Sequence, residues 1–189
     1  MDEFEVESRI YGRPAPLAKN PVFDRHSLAD MRRRVRVPAR GMLTVTDDIV
    51  LSEQELKPYQ LELRENADGP YRIWDHPVSG AQYIIGVDTA KGLTHGDASA
   101  ASVLRIEKRS TKLFLSLVAQ YHGWINPLDY ATEVYKLAVY FNSALVAVEL
   151  TGGYGEAVML RMRQEYAYWN IFRDETSHAA AKYKQAHRL

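Results

Sequence analysis

The pattern of hydrophobic and polar positions changes near Gly80. Residues 1–80 hold seven of the eight prolines, which break this part of the chain into short pieces. The apolar spacing from Ser27, a possible cap, to Val35 predicts one short helix, and the alternation over residues 71–74 predicts a strand. We therefore interpret residues 1–80 as an irregular linker that carries a short helix and edge strands.

Beyond Gly80 the first predicted elements are strands. Residues 83–88 form a short apolar run that ends in Asp88, which is typical of a buried strand. Two β-rich runs follow, at 102–107 and 112–121, and the polar residues between them predict an antiparallel hairpin. The first strand and this hairpin together predict a three-stranded antiparallel unit.

Helices and strands alternate in the rest of the chain. Asn126 and Pro127 are typical of the start of a helix, and an apolar stripe continues beyond them. Residues 144–149 form another apolar strand that ends in an acid, and a glycine-containing turn then leads into a helix over 154–168. A last short strand is predicted at 170–172.

This order of elements predicts the topology of the sheet. Three antiparallel strands precede two strands that return through helical crossovers, and such crossovers are right-handed. The strand at 144–149 should therefore lie parallel to the strand at 83–88 and beside it. We expect an α/β fold over residues 81–189 with a ribonuclease H-like mixed sheet flanked by helices.

Two acids end the two strands that are predicted to pair. Asp88 and Glu149 lie at carboxyl ends of neighbouring parallel strands, where ligands tend to bind. Two carboxylates held close together repel each other unless a cation lies between them. Mg²⁺ and Mn²⁺ take such oxygen ligands, and a pair of these ions can promote hydrolysis of a phosphodiester. A lone acid at a strand end is usually a cap, but two on neighbouring strands favour a metal site.

Asp97 is the third candidate ligand. It ends a glycine-punctuated loop, residues 91–97, that could fold back over the end of the first strand. The alternative is an Asx-turn that leads into the next strand. His95, in the same loop, could contact a phosphate or a metal, although exposed loop histidines usually do neither.

The charge balance limits how the chain could bind a nucleic acid. Lys and Arg number 24, as do Asp and Glu, so the formal net charge is zero and no global field attracts a polyanion. Contact with DNA must then come from a local patch. The dense basic cluster either grips the DNA backbone or forms a solvated face, and its members are Arg32, Arg33, Arg34, Arg36 and Arg40.

Composition excludes several other classes of site. The chain has no cysteine, which excludes disulfides and thiolate metal sites and suits a reducing compartment. It has no G-x-x-x-x-G-K-[ST] sequence and hence no P-loop of its own. The acidic N-terminus lacks the apolar core of a signal peptide, and no segment reaches the apolar length of a membrane span. We therefore expect a soluble protein that is neither secreted nor bound to a membrane.

The sequences around the two strand-end acids resemble one family. Residues 83–92, then Gly96-Asp97, then residues 146–149 with three glycines after them are similar to the nuclease domain of tailed-bacteriophage terminase large subunits. Residues 20–24 and 71–77 resemble the segment that connects the ATPase motor of that family to its nuclease. The resemblance covers nearly the whole chain, and its most specific part surrounds the two acids.

The resemblance implies a metal-dependent endonuclease that cuts double-stranded DNA during genome packaging. Asp88 and Glu149, with Asp97 as a further contributor, would be ligands of a two-metal site that holds Mg²⁺ or Mn²⁺. The implied partners are double-stranded DNA, the ATPase motor, the small terminase subunit and the portal, and the implied location is the host cytoplasm. The motor and the last acidic ligand of the family have no counterpart in this chain, so we expect a truncated protein. Asp174 and Glu175 follow the final strand too closely to be safe substitutes.

Two other interpretations stay open. A catalytically silent DNA-binding or motor-docking fragment of a terminase would result if the absent ligand is essential. An actin-like or sugar-kinase ATPase fold also begins with a strand of the form Gly-x-Asp. That fold requires a second phosphate loop, and the residues after Glu149 do not form one.

Overall fold

The computed structural model describes residues 24–46, 49–93, 95–150 and 152–173. The chain divides into two compact units, Met1–Val37 and Pro38–Leu189. The second unit is an α/β structure in which helices pack on a mixed sheet.

Helix α1 (Arg25–Arg33) belongs to the first unit. The carboxylate of Asp24 caps it by accepting hydrogen bonds from the backbone N–H (2.8 Å) and the hydroxyl (2.9 Å) of Ser27. The sequence predicted a helix from Ser27 to Val35, so both predicted ends are two residues too late. An ionised carboxylate is a strong acceptor at the positive end of a helix, which explains why Asp24 rather than Ser27 is the cap.

The second unit is built on one seven-stranded sheet with the spatial order β2-β1-β3-β6-β5-β4-β7. Neighbouring strands are antiparallel, except that β4 and β7 are parallel. In chain order the strands are β1 (Ala39–Val45), β2 (Leu61–Glu65), β3 (Tyr71–Ile73), β4 (Gln82–Asp88), β5 (Ser99–Arg109), β6 (Lys112–Gly123) and β7 (Leu145–Val148). A short 3₁₀ helix, Pro58–Gln60, precedes β2.

The predicted order of three strands, a helix, a strand and a helix after residue 83 is confirmed. β4 and the β5–β6 hairpin are antiparallel, and β7 returns parallel to β4 through a helix. The sheet, however, extends beyond these strands, because β1, β2 and β3 continue it on the far side of β6. The sheet-bearing unit thus begins at Pro38, whereas the sequence placed that boundary near Gly80. Pro38, Pro58 and Pro70 lie just outside the strands and so interrupt the pattern without preventing pairing.

Helices α2 (Pro127–Tyr140) and α3 (Tyr154–Gln164) complete the second unit. The side chain of Asn126 accepts from the backbone N–H of Asp129 (3.0 Å), so α2 begins as predicted. α3 ends four residues before the predicted end, and Ala167 beyond it has a φ of 48°. In place of the predicted last strand, Ile171 forms a single parallel bridge with Val146 at the outer edge of β7.

A buried ion pair joins α2 to the strands. The ammonium of Lys136 donates to the carbonyl oxygen of Leu43 (2.9 Å) and pairs with Glu133 (2.8 Å). Glu133 also accepts from the hydroxyl of Tyr71 (2.5 Å). Because a buried charge is costly without its partner, this network strongly favours one placement of α2 on β1 and β3.

The two faces of the sheet differ in burial. Along β4, Tyr83, Ile85 and Val87 point into the core, while Gly86 and Asp88 between and after them are exposed. Side chains alternate between faces along a strand, so one face packs in the core and the other stays accessible. We call the face that carries Gly86 and Asp88 the open face.

Candidate metal site

Pairing between the parallel strands brings the two predicted acids together. Asp88 is the last residue of β4, and Glu149 directly follows β7. Val87 and Val148 are partners in the parallel register, and the backbone N–H of Glu149 donates to the carbonyl oxygen of Val87 (2.9 Å). Asp88 and Glu149 are thus the next pair in that register, with backbones separated by about one strand spacing, ~4.8 Å.

Both carboxylates border a groove on the open face. Gly86 pairs with Ala147 two residues before the acids, so by alternation Asp88 and Glu149 share the face of that pair. The groove has a volume of about 540 Å³, and Phe172 lies at its rim. Its floor consists of small residues, which leave room above the sheet, namely Gly86, Ala100, Ser102 and Ala147.

A tight turn after β7 fixes the backbone of Glu149. Gly155 is buried at the start of α3, and a Cβ atom there would lie 1.9 Å from the carbonyl oxygen of Glu149 and 3.1 Å from a methyl group of Val148. Only glycine permits this approach. Gly155 therefore has a direct structural role, which is to let α3 begin against the end of β7.

The loop after β4 packs on the start of α2. Gly92 has a φ of 80°, and a Cβ atom there would lie 2.4 Å from the carbonyl oxygen of Ile125. The indole N–H of Trp124 donates to the carbonyl oxygen of Gly96 (2.9 Å). These two contacts hold the loop near the N-terminus of α2.

Asp97 and His95 lie exposed in that loop. Among the described residues, no group of three or more Asp, Glu or His side chains is arranged to hold a metal ion, so the structure does not gather Asp97 or His95 with the two strand-end acids. Asp174 and Glu175 lie outside the described residues. The candidate site within the described chain therefore consists of Asp88 and Glu149.

Two buried hydroxyls near the site have no hydrogen-bond partner in the described part of the chain. They are the side-chain oxygen atoms of Thr89, which directly follows Asp88, and of Tyr130. Burial raises the pKa of Tyr130 far above its ordinary value, and the charges of Tyr121 and Asp88 raise it further. Unsatisfied buried polar groups are rare in native proteins and call for an explanation, such as a catalytic or binding role.

The donor set suits a hard divalent cation. Two carboxylates with parallel backbones and a shared face supply the oxygen ligands that Mg²⁺ or Mn²⁺ prefers. The small residues of the groove leave space for water or a phosphate oxygen to complete the coordination. The residues present therefore fit such an ion, with Asp88 and Glu149 as its protein ligands.

The structure divides the predicted arginine cluster between the two units. Arg32 and Arg33 lie in the last turn of α1, where positive charge stabilises the helix end, and Arg33 pairs with Asp30. Arg34 and Arg36 follow in the same unit. Arg40 instead belongs to β1 of the second unit, and its guanidinium donates to the carbonyl oxygen of Gly69 (3.2 Å).

Two arginines that the sequence analysis did not single out accompany Arg40 on the open face. Arg72 lies between buried Tyr71 and Ile73 on β3, and Arg64 is exposed on β2. The alternation around Arg72 was a usable signal that its side chain faces away from the core. Its neighbours across the sheet depend on register, which the sequence does not give.

No protein-family model matches the chain, and no curated protein matches it. Within the described residues, no helix has the length and apolar character that crossing a membrane requires.

Proposed function

We propose that the second unit is a metal-dependent nuclease with a ribonuclease H-like sheet. The observation that supports this most is the parallel pairing of β4 with β7, which sets Asp88 beside Glu149 at one sheet edge. Carboxylates at this position in an α/β sheet suit the binding of a cation and, through it, of a phosphate.

The shape of the site favours a polymeric substrate. The groove is shallow and open, and its floor of Gly86, Ala100 and Ser102 lets an extended backbone approach the carboxylates. Small-molecule sites are usually concave and enclose most of their ligand. A divalent ion bound by Asp88 and Glu149 would activate a water and stabilise the leaving oxygen of a phosphodiester.

We further propose that the chain is the nuclease domain of a viral terminase large subunit that cuts double-stranded DNA. This rests on the resemblance of residues 83–92 and 146–149, which include β4, β7 and both acids. The antiparallel β4–β5–β6 unit followed by a parallel β7 is compatible with that fold.

One observation favours a second candidate function, a DNA-binding fragment without catalytic activity. Within the described residues, two acids rather than three gather at the site. A site with fewer anionic oxygens holds a hard cation more weakly, and a two-metal reaction depends on both ions. Such a fragment would bind DNA and leave it intact.

A cleavage assay tests the proposal. Supercoiled plasmid is incubated with the full chain and Mn²⁺ or Mg²⁺, alongside the variants Asp88→Asn, Glu149→Gln and, as a control on the exposed first turn of α3, Glu156→Gln. The proposal expects nicking by the unmodified chain and by the control. It expects a loss on the order of a hundredfold or more in the two site variants.

Each other outcome has a distinct meaning. Cleavage by Asp88→Asn at the unmodified rate would refute the proposed site. Binding of DNA without cleavage by any form would favour the silent fragment. Because Mn²⁺ binds more tightly to mixed sites than Mg²⁺, the proposal expects faster cleavage in Mn²⁺.

A further inference from the structure

A continuous row of side-chain positions crosses the open face of the sheet. Gly86 of the groove is the register partner of Ser102, and Ser102 is the partner of Gln120. Gln120 is the partner of Arg72, and Arg72 is the partner of Arg40. Directly opposed residues share a face, so the row runs from the groove floor to two adjacent arginines.

A third arginine lies in the same corner of the face. Arg64 of β2 is the register partner of Met42, which is two residues from Arg40 on β1. Arg64 and Arg40 are therefore diagonal neighbours, about 7–8 Å apart along the sheet. We call Arg40, Arg64 and Arg72 the arginine corner.

The side chains of the arginine corner make few contacts within the described residues. None of its members forms an ion pair there, and its one side-chain hydrogen bond is from Arg40 to the carbonyl of Gly69. Arg40 and Arg72 lie directly opposite each other, an arrangement of like charges that destabilises a sheet. A bound anion would remove this repulsion.

An anion that contacts both the arginine corner and a cation held by Asp88 and Glu149 must be long. Arg72 lies three strands from Asp88 and Arg64 lies five strands from it, so the backbones are separated by about 14 Å and about 24 Å. A small anion cannot span this distance. Duplex DNA carries one charge per about 1.7 Å of its axis and can reach both.

The surface between the two ends is suited to such a polymer. Ser102 and Gln120 are uncharged, and the amide of Gln120 donates to the hydroxyl of Ser102 (3.4 Å). No charged residue interrupts the row between Gly86 and Arg72. A phosphate backbone could therefore lie across β5 and β6 without meeting a negative charge.

We propose that the arginine corner binds the phosphate backbone of duplex DNA. The phosphates that it binds would belong to the same duplex as the reacting phosphate at Asp88 and Glu149, but would lie at a distance from it. The choice of DNA as occupant rests on the proposed nuclease function. The corner would anchor the duplex several base pairs away from the reacting bond and so orient it across the open face.

The experiment measures DNA binding without cleavage. The affinity of the full chain for a short duplex of mixed sequence is followed in EDTA between about 50 and 200 mM salt. The test variant is Arg40→Gln/Arg72→Gln, the charge-preserving variant is Arg40→Lys/Arg72→Lys, and the control is Arg163→Gln. Arg163 is exposed on α3, and its replacement removes one positive charge, as Arg72→Gln alone does.

The proposal expects a smaller salt dependence in the test variant. The slope of log K against log salt should flatten by about one unit for each arginine removed. The Lys variant should retain most of the slope, and Arg163→Gln should retain all of it. The single variant Arg72→Gln, which loses no described side-chain contact, should unfold no more easily than the unmodified chain.

Several results would overturn the inference. These are an unchanged slope in the test variant, an equal loss in Arg163→Gln, and an absence of duplex binding by the unmodified chain. If the double variant fails to fold, Arg72→Gln alone should flatten the slope by about one unit, and no change would be equally decisive. Cleavage by the unmodified chain with an unchanged slope in the test variant would support the nuclease proposal and refute this inference. A flattened slope without cleavage would support this inference and refute the nuclease proposal.

Discussion

The backbone N–H of Glu149 donates to the carbonyl oxygen of Val87 across the parallel β4–β7 pair. This bond places Glu149 beside Asp88 through main-chain pairing alone. Neither exposed carboxylate is needed to hold the strands together.

We therefore predict that Asp88→Asn and Glu149→Gln fold normally in the absence of metal. Removing one of two adjacent negative charges relieves repulsion, so the free energy of unfolding should stay within about 0.5 kcal/mol or rise. Urea denaturation in EDTA measures this. A loss above about 1 kcal/mol would mean that the carboxylates stabilise the fold directly.

Substitution of Gly155 should displace the backbone of Glu149 and lower stability. In Gly155→Ala the new Cβ would collide with the carbonyl of Glu149, so we expect a loss of about 1–3 kcal/mol in the free energy of unfolding. Gly96→Ala is the matched control, since its Cβ would have ordinary contacts at 3.5 Å. Equal stability of the two variants by urea denaturation would contradict the close approach of α3 to β7.

Two buried tyrosines should respond differently to loss of the hydroxyl. The hydroxyl of Tyr130 has no partner among the described residues, whereas that of Tyr168 donates to the carbonyl of Ala144 (2.5 Å). Tyr130→Phe should leave stability unchanged or raise it by about 1 kcal/mol, and Tyr168→Phe should lower it by a similar amount. Thermal unfolding of both variants measures these changes in stability. Destabilisation by Tyr130→Phe would reveal a partner for this hydroxyl.

The helix-flanked sheet from β4 to α3 was predictable from the sequence because its signals are local. Apolar runs mark β4 and β7, and Asn126 with Pro127 marks the start of α2. The right-handedness of crossovers then orders β4 and β7 side by side, which brought Asp88 and Glu149 together.

The rest of the sheet depends on contacts that are distant in the sequence. β3 has three residues and finds its place through pairing with β6, nearly fifty residues later. The sequence predicted that Lys136 lies in a helix but not that it forms a buried pair. Its partners are Glu133 and the carbonyl oxygen of Leu43, and Leu43 on β1 is 93 residues away in the sequence. The arginine corner likewise follows from register, which short strands do not specify on their own.

The tyrosine-rich core predicts a loss of stability at high pH. Burial raises the pKa values of four tyrosines above the ordinary value, and these are Tyr71, Tyr121, Tyr130 and Tyr168. They therefore keep their protons in the folded state at a pH where the unfolded chain loses them. Their contribution to stability is complete below about pH 10 and declines as the pH rises further, by up to about 1.4 kcal/mol per pH unit for each.

Urea denaturation at a series of pH values measures this decline. Tyr130→Phe should reduce its steepness, because one of the buried groups that resists ionisation is gone. An equally steep decline in the variant would show that Tyr130 ionises as readily in the folded chain as in the unfolded one.

The proposed nuclease depends on joint binding of one divalent cation by Asp88 and Glu149. Titration of the full chain with Mn²⁺, followed by the electron paramagnetic resonance of the free ion, measures this most directly. We predict binding by the unmodified chain and by Glu156→Gln, and an affinity lower by about tenfold or more in both Asp88→Asn and Glu149→Gln. If either site variant bound Mn²⁺ as tightly as the unmodified chain, the two acids would not form a shared cation site.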